Sequence, residues 1–179
     1  DKNKKIKNLR VKSNLNFDNV KIDYTSNRIK KRIPNYKNHI FLNSDSLELD
    51  YTNNKTQIIA KGKYSFNDKF DDYEINIINE KDKFDFESSI DLNNNLIVID
   101  EIDYNKEKDL LSTLRLKANF IKNNDIKFKH INLSEDKNNI EISNLKLSKD
   151  YKVKDIDALE LNYLNKNKIL NYVKIFKSK

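Results

Sequence analysis

The sequence predicts an all-β protein built as a long, curved antiparallel meander sheet with bulges, joined by one short helix near residues 27–33. Three observations predict it. Short segments with apolar residues at every second position recur along the chain, separated by polar clusters rich in Asn, Asp and Lys. A helical period occurs in one place only, so crossover helices, and with them a parallel α/β sheet, are excluded. Finally, the alternation changes parity inside several segments, as it does in "NLNFDNVKIDY", residues 14–24.

Up to that stretch and into it, Leu9, Val11, Leu15 and Phe17 fall on odd positions, whereas Val20, Ile22 and Tyr24 fall on even ones. A strand keeps its parity unless a residue is inserted, so a β-bulge is expected at Asp18–Asn19. The next segment, "SNRIKKRIPNY", predicts one or two helical turns: Ser26 or Asn27 can cap it, Ile29 and Ile33 share a face, and Pro34 ends it. Strands then follow at "HIFLNS", "SLELDY", "TQIIAKGKYSF", "YEINII", "KFDFESSIDL", "NLIVIDEIDY", "LSTLRLKANFI", "DIKFKHINL", "NNIEISNLKL", "ALELNYL" and "ILNYVKIFK". The clusters between them, such as "TNNK", "NEKDK", "KNND" and "SEDKNN", are short enough for hairpins. Asn tolerates the left-handed turn conformation, which matters in a chain with one Gly.

The parity change returns at Phe128–His130–Ile131–Leu133, at Ile142–Leu145–Leu147 and at Leu170–Val173–Ile175. Repeated bulges bend a sheet. A dozen strands spaced by about 4.8 Å would extend roughly 55 Å and would not stay flat.

Composition narrows the functional classes. The length, 179 residues, fits one domain, and with no Met in the sequence the expectation is that residues 1–179 are a single segment of a larger protein. Charged residues make up 35% and hydrophobic ones only 37%, yet nine Tyr, nine Phe and the regular apolar pattern argue for a folded chain rather than a disordered one. The net charge of +7 is interleaved with acids rather than clustered, so no nucleic-acid footprint is expected. No apolar run approaches the roughly 20 residues of a membrane span, no signal-peptide pattern is present, and without Cys there are no disulfides or thiolate metal sites.

Catalytic chemistry is not visible. The two histidines, His39 and His130, have no nucleophile arranged beside them in the sequence. The one glycine, Gly62, cannot build a phosphate loop, and its place among Ile58, Ala60, Tyr64 and Phe66 is better explained by a close approach or a kink. The acids Asp71–Asp72 and Asp100–Glu101–Asp103 read as solvated turn residues, without the glycine and spacing of a calcium loop. The expectation is a protein that is not an enzyme and has no metal and no cofactor.

What the pattern does offer is an apolar face. In "KFDFESSIDL", Phe84, Phe86, Ile90 and Leu92 share one face and Asp85, Glu87 and Asp91 the other. Ile58–Ile59, Ile77–Ile78 and Leu96–Ile99 are apolar on both. An apolar sheet face with no helices to cover it either folds onto a second layer or curls into a half-open apolar groove that holds a ligand. The richer face of each segment gives the candidate lining: Ile58, Ala60 and Tyr64; Phe84 and Phe86; Leu96 and Val98; Leu114, Leu116 and Phe120; Ile126 and Phe128; Ile140 and Ile142. The basic run Arg28, Lys30, Lys31, Arg32 is either solvated or placed to meet anionic headgroups.

"FDNVKIDY", then "RIPNY", then "SLELDYTNNKTQIIAKGKYSF" resembles the repeating units of the AsmA-like family, in particular its large YhdP/TamB-type members. The corresponding residues are Phe17, Val20 and Ile22, followed by Leu47, Leu49, Tyr51, Ile58 and Gly62; "LKLSKDYKVKDIDALELNY" has a similar form. The resemblance spans most of the chain through degenerate β-repeat patterns, with far less glycine than such repeats commonly use. It implies a periplasmic β-groove tethered to the inner membrane by an anchor helix outside this segment. Phospholipid acyl chains would line the groove on their way between inner and outer membrane, in envelope biogenesis. Two other readings of the same residues are a lipopolysaccharide-bridge module of β-jellyroll form and a structural β-sandwich of adhesin type.

Overall fold

The computed structural model describes residues 9–121 and 125–178. Fourteen strands account for most of them: β1 (Arg10–Phe17), β2 (Val20–Asp23), β3 (His39–Thr52), β4 (Lys55–Ser65), β5 (Asp71–Glu80), β6 (Lys83–Asp91), β7 (Ile97–Ile99), β8 (Tyr104–Lys106), β9 (Ser112–Ile121), β10 (Ile126–Glu135), β11 (Asn138–Leu147), β12 (Val153–Asp155), β13 (Ala158–Leu164) and β14 (Leu170–Phe176). Twelve of these form one open antiparallel sheet in the order β1-β3-β4-β5-β6-β9-β10-β11-β13-β14, with β2 on β3 and β12 on β11. The remaining two, β7 and β8, make a separate hairpin. The turn expected at 122–125 lies, for residues 122–124, outside the described residues.

The helix α1 spans Asn27–Arg32. Ser26 caps it: its Oγ accepts a hydrogen bond from the Ile29 N–H at 3.3 Å, which satisfies one of the orphan donors of the first turn. The chain leaves the helix at Ile33, just before Pro34.

The register shows how the bulges work. Strands β1 and β2 run in one continuous register against β3, from Arg10↔Thr52 to Asp23↔His39. Asn19 divides the two with φ of 56°, and Ser44, one position away on β3, has φ of 56° as well. Both strands therefore change parity at the same level, and the extra residue appears as a register shift of β3 against β4 between Asn43 and Ser46. The Asp18 carboxylate ties the two slips together by accepting from the Ser44 N–H at 2.7 Å. The arrangement repeats at the other side of the sheet. There β10 and β11 stay in register with each other while β10 shifts against β9 between Phe128 and His130, with Asn144 of β11 at φ of 52°. A left-handed residue in a bulge adds twist without a side-chain clash when it is small and polar. Asn thus serves the bulges as much as the turns, where Lys81 and Asp136 take the left-handed position.

The bulge expected at Leu170–Val173–Ile175 does not form. β14 pairs with β13 without a shift from Leu164↔Leu170 to Ala158↔Phe176. Leu170 lies at the strand end on the face opposite Val173 and Ile175, so its parity reflects an exposed terminus rather than an insertion.

Curvature is visible in the core. Tyr64 of β4 and Tyr163 of β13 are six strands apart in the sheet, about 29 Å along a flat one. Both nevertheless belong to one buried cluster with Leu133, Ile140 and Leu161. The sheet curls far enough for its two sides to meet around what fills the middle: Leu92, Ile97 and Tyr104 from the segment that carries the β7–β8 hairpin. Each buried apolar side chain of this kind contributes on the order of 1.5–3 kcal/mol. The opposite, convex face alternates charges, and pairs such as Lys63–Asp72 (2.7 Å) and Lys174–Glu160 (2.9 Å) cross it from strand to strand.

Candidate functional site: an apolar trough closed at one end

Pairing fixes which residues share the concave face. One row across the sheet reads Leu15, Leu47, Ala60, Ile75, Ser88, Leu116, Ile131, Ile142, Leu159, Ile175. The next row toward one end reads Leu49, Ile58, Ile77, Phe86, Ala118, Phe128, Leu145, and the outermost one Tyr51, Thr56, Asn79, Phe84, Phe120, Ile126, Leu147. These rows are the floor of a trough. At its outer end Phe84 and Phe120 stack with ring centroids 4.6 Å apart and planes 6° from parallel.

Twelve of the fourteen candidate lining residues share this face: Ile58, Ala60, Tyr64, Phe84, Phe86, Leu114, Leu116, Phe120, Ile126, Phe128, Ile140 and Ile142. Leu96 and Val98 do not. They belong to the segment of the β7–β8 hairpin, outside the large sheet, and it is Ile97 and Ile99 that face the core cluster. The second isoleucine of the doubly apolar pairs, Ile59 and Ile78, falls on the convex face by register.

The hairpin segment closes the inner end. Tyr104 is 1% exposed and donates its hydroxyl to the Glu135 carboxylate, and Tyr163 donates to the Ile102 carbonyl at 2.5 Å. Burial, together with the Glu135 carboxylate, pushes the Tyr104 phenol well above its usual range. Lys106 is fully buried, with its ammonium donating to the carbonyls of Asn93, Asn95 and Glu107 at 2.9–3.1 Å. Desolvation lowers its pKa. Asp71, expected in a solvated turn, is buried instead. Its carboxylate accepts from the Asn94 N–H (3.1 Å), the Asn94 side-chain amide (2.9 Å) and the Asn95 side-chain amide (3.0 Å), which fixes the hairpin to the sheet. Helix α1 bears on the hairpin from outside through the bidentate Arg32–Glu101 pair, 2.6 Å for each bond, which draws the Glu101 carboxyl down to about 2. Two of the basic residues considered for headgroup contact, Lys31 and Arg32, are therefore paired with Asp100 and Glu101.

Beside the hairpin the trough deepens into a cavity of about 360 Å³ lined by Phe17, Ile40, Leu42, Leu47, Ala60, Tyr64, Phe66, Tyr73, Ile75 and Ile90. The two hydroxyls among these are engaged elsewhere: Tyr64 donates to the Asp91 carbonyl at 2.5 Å and Tyr73 to Asp45 Oδ1 at 2.6 Å. The cavity presents hydrocarbon and ring faces. The histidines lie apart from it: His39 starts β3 with its ring 4.6 Å from that of Phe41, and His130 is half-exposed on the convex side, 3.6 Å from Glu141.

The segment "NLIVIDEIDY", expected as one strand, instead forms the short β7, a turn at Asp100–Ile102 and the start of β8, and the closing role of this hairpin is what sequence reasoning missed. Comparison with known proteins found no matching family model, no matching curated protein and no matching solved structure. No helix among the described residues is long and apolar enough to cross a membrane.

Proposed function

We propose that the chain is a non-enzymatic lipid-binding β-groove, a segment of a larger envelope protein that holds phospholipid acyl chains while they move between the inner and outer membranes of a bacterium. The observation that carries this reading is the trough floor. Its three rows are apolar except for Ser88, Thr56 and Asn79, and most of their residues lie outside the buried cluster that the hairpin segment fills, half-buried rather than enclosed, with Ser88 and Ala118 buried among them. A peptide laid there would leave its own N–H and C=O groups without partners, at a cost of several kcal/mol for each buried group. A hydrocarbon chain has no such groups. It gains about 0.8 kcal/mol for each methylene removed from water. A structural sandwich would need a second sheet over the whole floor, whereas the only second layer described is a two-stranded hairpin at one end.

The AsmA-like resemblance supports the same class, and with it a periplasmic location, an inner-membrane tether in the full-length protein and the absence of a cofactor. The test is displacement of a fluorescent apolar probe from the purified chain. Single-chain phospholipid should displace it at concentrations below its own micelle formation. A chain that takes up neither probe nor lipid contradicts the reading, and tighter binding of lipopolysaccharide than of phospholipid would move it to the bridge class.

A further inference from the structure

We propose that the trough is blind, so that acyl tails are loaded and released through the Phe84/Phe120 mouth, with the hairpin setting the longest tail that fits. This rests on the lipid-binding reading and adds to it a direction and a length limit. Three observations carry it.

The first is the obstruction. Ile97, Ile99, Ile102 and Tyr104 pack against concave-face residues contributed by strands from β3 to β13, so the hairpin fills the cross-section of the curl at the inner end. The second is how firmly it is held. An incidental loop would be tied by exposed contacts, but this one is fixed by the Lys106 ammonium, the Asp71 carboxylate and the Tyr104–Glu135 bond, all four side chains buried. Behind the side recess, Tyr36, 3% exposed, packs edge-on against the lining residue Phe66 at 5.5 Å and donates to the Tyr24 carbonyl.

The third is length. From the stacked pair at the mouth to Ile90 and Leu114, which touch the hairpin cluster, each strand advances six residues, or about 20 Å. Half of a bilayer's hydrocarbon core is about 15 Å. The floor thus accepts the tail of an ordinary membrane phospholipid in full, while its headgroup remains at the mouth, and leaves little room beyond. A groove that passed lipid from end to end would have no such limit.

The test is a series of saturated lysophosphatidylcholines, lengthened stepwise from decanoyl to lignoceroyl, titrated into the wild-type chain. Affinity should rise about fourfold per added methylene while the tail is still filling the floor, and then level off. The Ile97→Ala variant, which shortens the hairpin's reach, should move the plateau to longer tails, with circular dichroism to verify the fold. Should that variant unfold, the wild-type series decides alone. Affinity that climbs without a plateau to the longest tail overturns the blind end and leaves the lipid-binding reading intact. Absence of binding at every length overturns both.

Discussion

The carboxylate of Asp45 lies directly over the α-carbon of Gly62. A Cβ built on Gly62 would stand 2.1 Å from Asp45 Oδ1, 2.7 Å from its Cγ and 2.8 Å from its Cα. The glycine does not adopt a positive φ, so what it supplies is space and not backbone freedom. The bulge at Ser44 turns Asp45 onto the concave face of β3, and the neighbouring strand must give way there. The chain's one glycine and its first bulge are two halves of one contact.

Gly62→Ala should therefore destabilise the fold by about 1–3 kcal/mol, the usual cost of forcing an extra carbon into a filled site. Asp45→Ala combined with it should recover part of that loss, because two of the three atoms met by the new methyl, Oδ1 and Cγ, would be gone while the Cα stays. Urea denaturation of the two single variants and the double variant measures the coupling. Strict additivity would contradict the contact.

Asp45 is 2% exposed, and its second carboxylate oxygen has no partner. Burial raises its pKa, against which the Tyr73 hydroxyl acts in the opposite direction. An acid whose folded-state pKa exceeds its unfolded value of about 4 costs no stability while both states are protonated. The cost appears as pH rises through the unfolded pKa and is complete above the folded one. Asp45→Asn keeps an oxygen for Tyr73 and removes the charge, so it should raise the melting temperature at pH 7 and leave it nearly unchanged near the unfolded pKa. Equal effects at both pH values would mean that the Asp45 pKa is not raised on folding.

Lys106 holds three carbonyls of its own segment and is completely buried. Lys106→Met removes a desolvated charge but leaves those three acceptors unpaired, and the acceptors dominate because each costs roughly 1–3 kcal/mol when stranded. A net loss of about 2–4 kcal/mol is expected, with hydrogen exchange accelerating first at Ile97–Ile99. Unchanged exchange in the hairpin would contradict the locking role.

Much of this architecture was legible in the sequence because period-two alternation is a local property. Phe84, Phe86 and Ile90 declare their face without reference to any other strand, and the parity changes at Asp18–Asn19 and at Phe128–His130 mark bulges in the same local way. Leu170 shows the limit of that logic, since at a frayed edge an apolar residue need not face the core. The hairpin was illegible for a different reason. Its strands are three residues long, too short to show a period, and its anchors are Lys106, Asp71 and Asn95, residue types that ordinarily mark solvated turns. Only the tertiary arrangement, in which the curled sheet surrounds them, makes burial of those groups tolerable.

Phe86 sits in the middle of the apolar floor proposed to hold acyl chains, between Ile77 of β5 and Ala118 of β9. An arginine at Phe86 in an open trough can extend into solvent and leave the fold in place; in a filled core it would be an unpaired buried charge, costing several kcal/mol in a domain with only about 5–15 kcal/mol of stability. The decisive measurement is photocrosslinking of phospholipid from a reactive residue at Ile77, with and without Phe86→Arg, and circular dichroism on both proteins. The account predicts lipid adducts on the otherwise wild-type chain, and a folded Phe86→Arg chain from which they are lost. An unfolded Phe86→Arg chain, or a wild-type background that never crosslinks lipid, would contradict it.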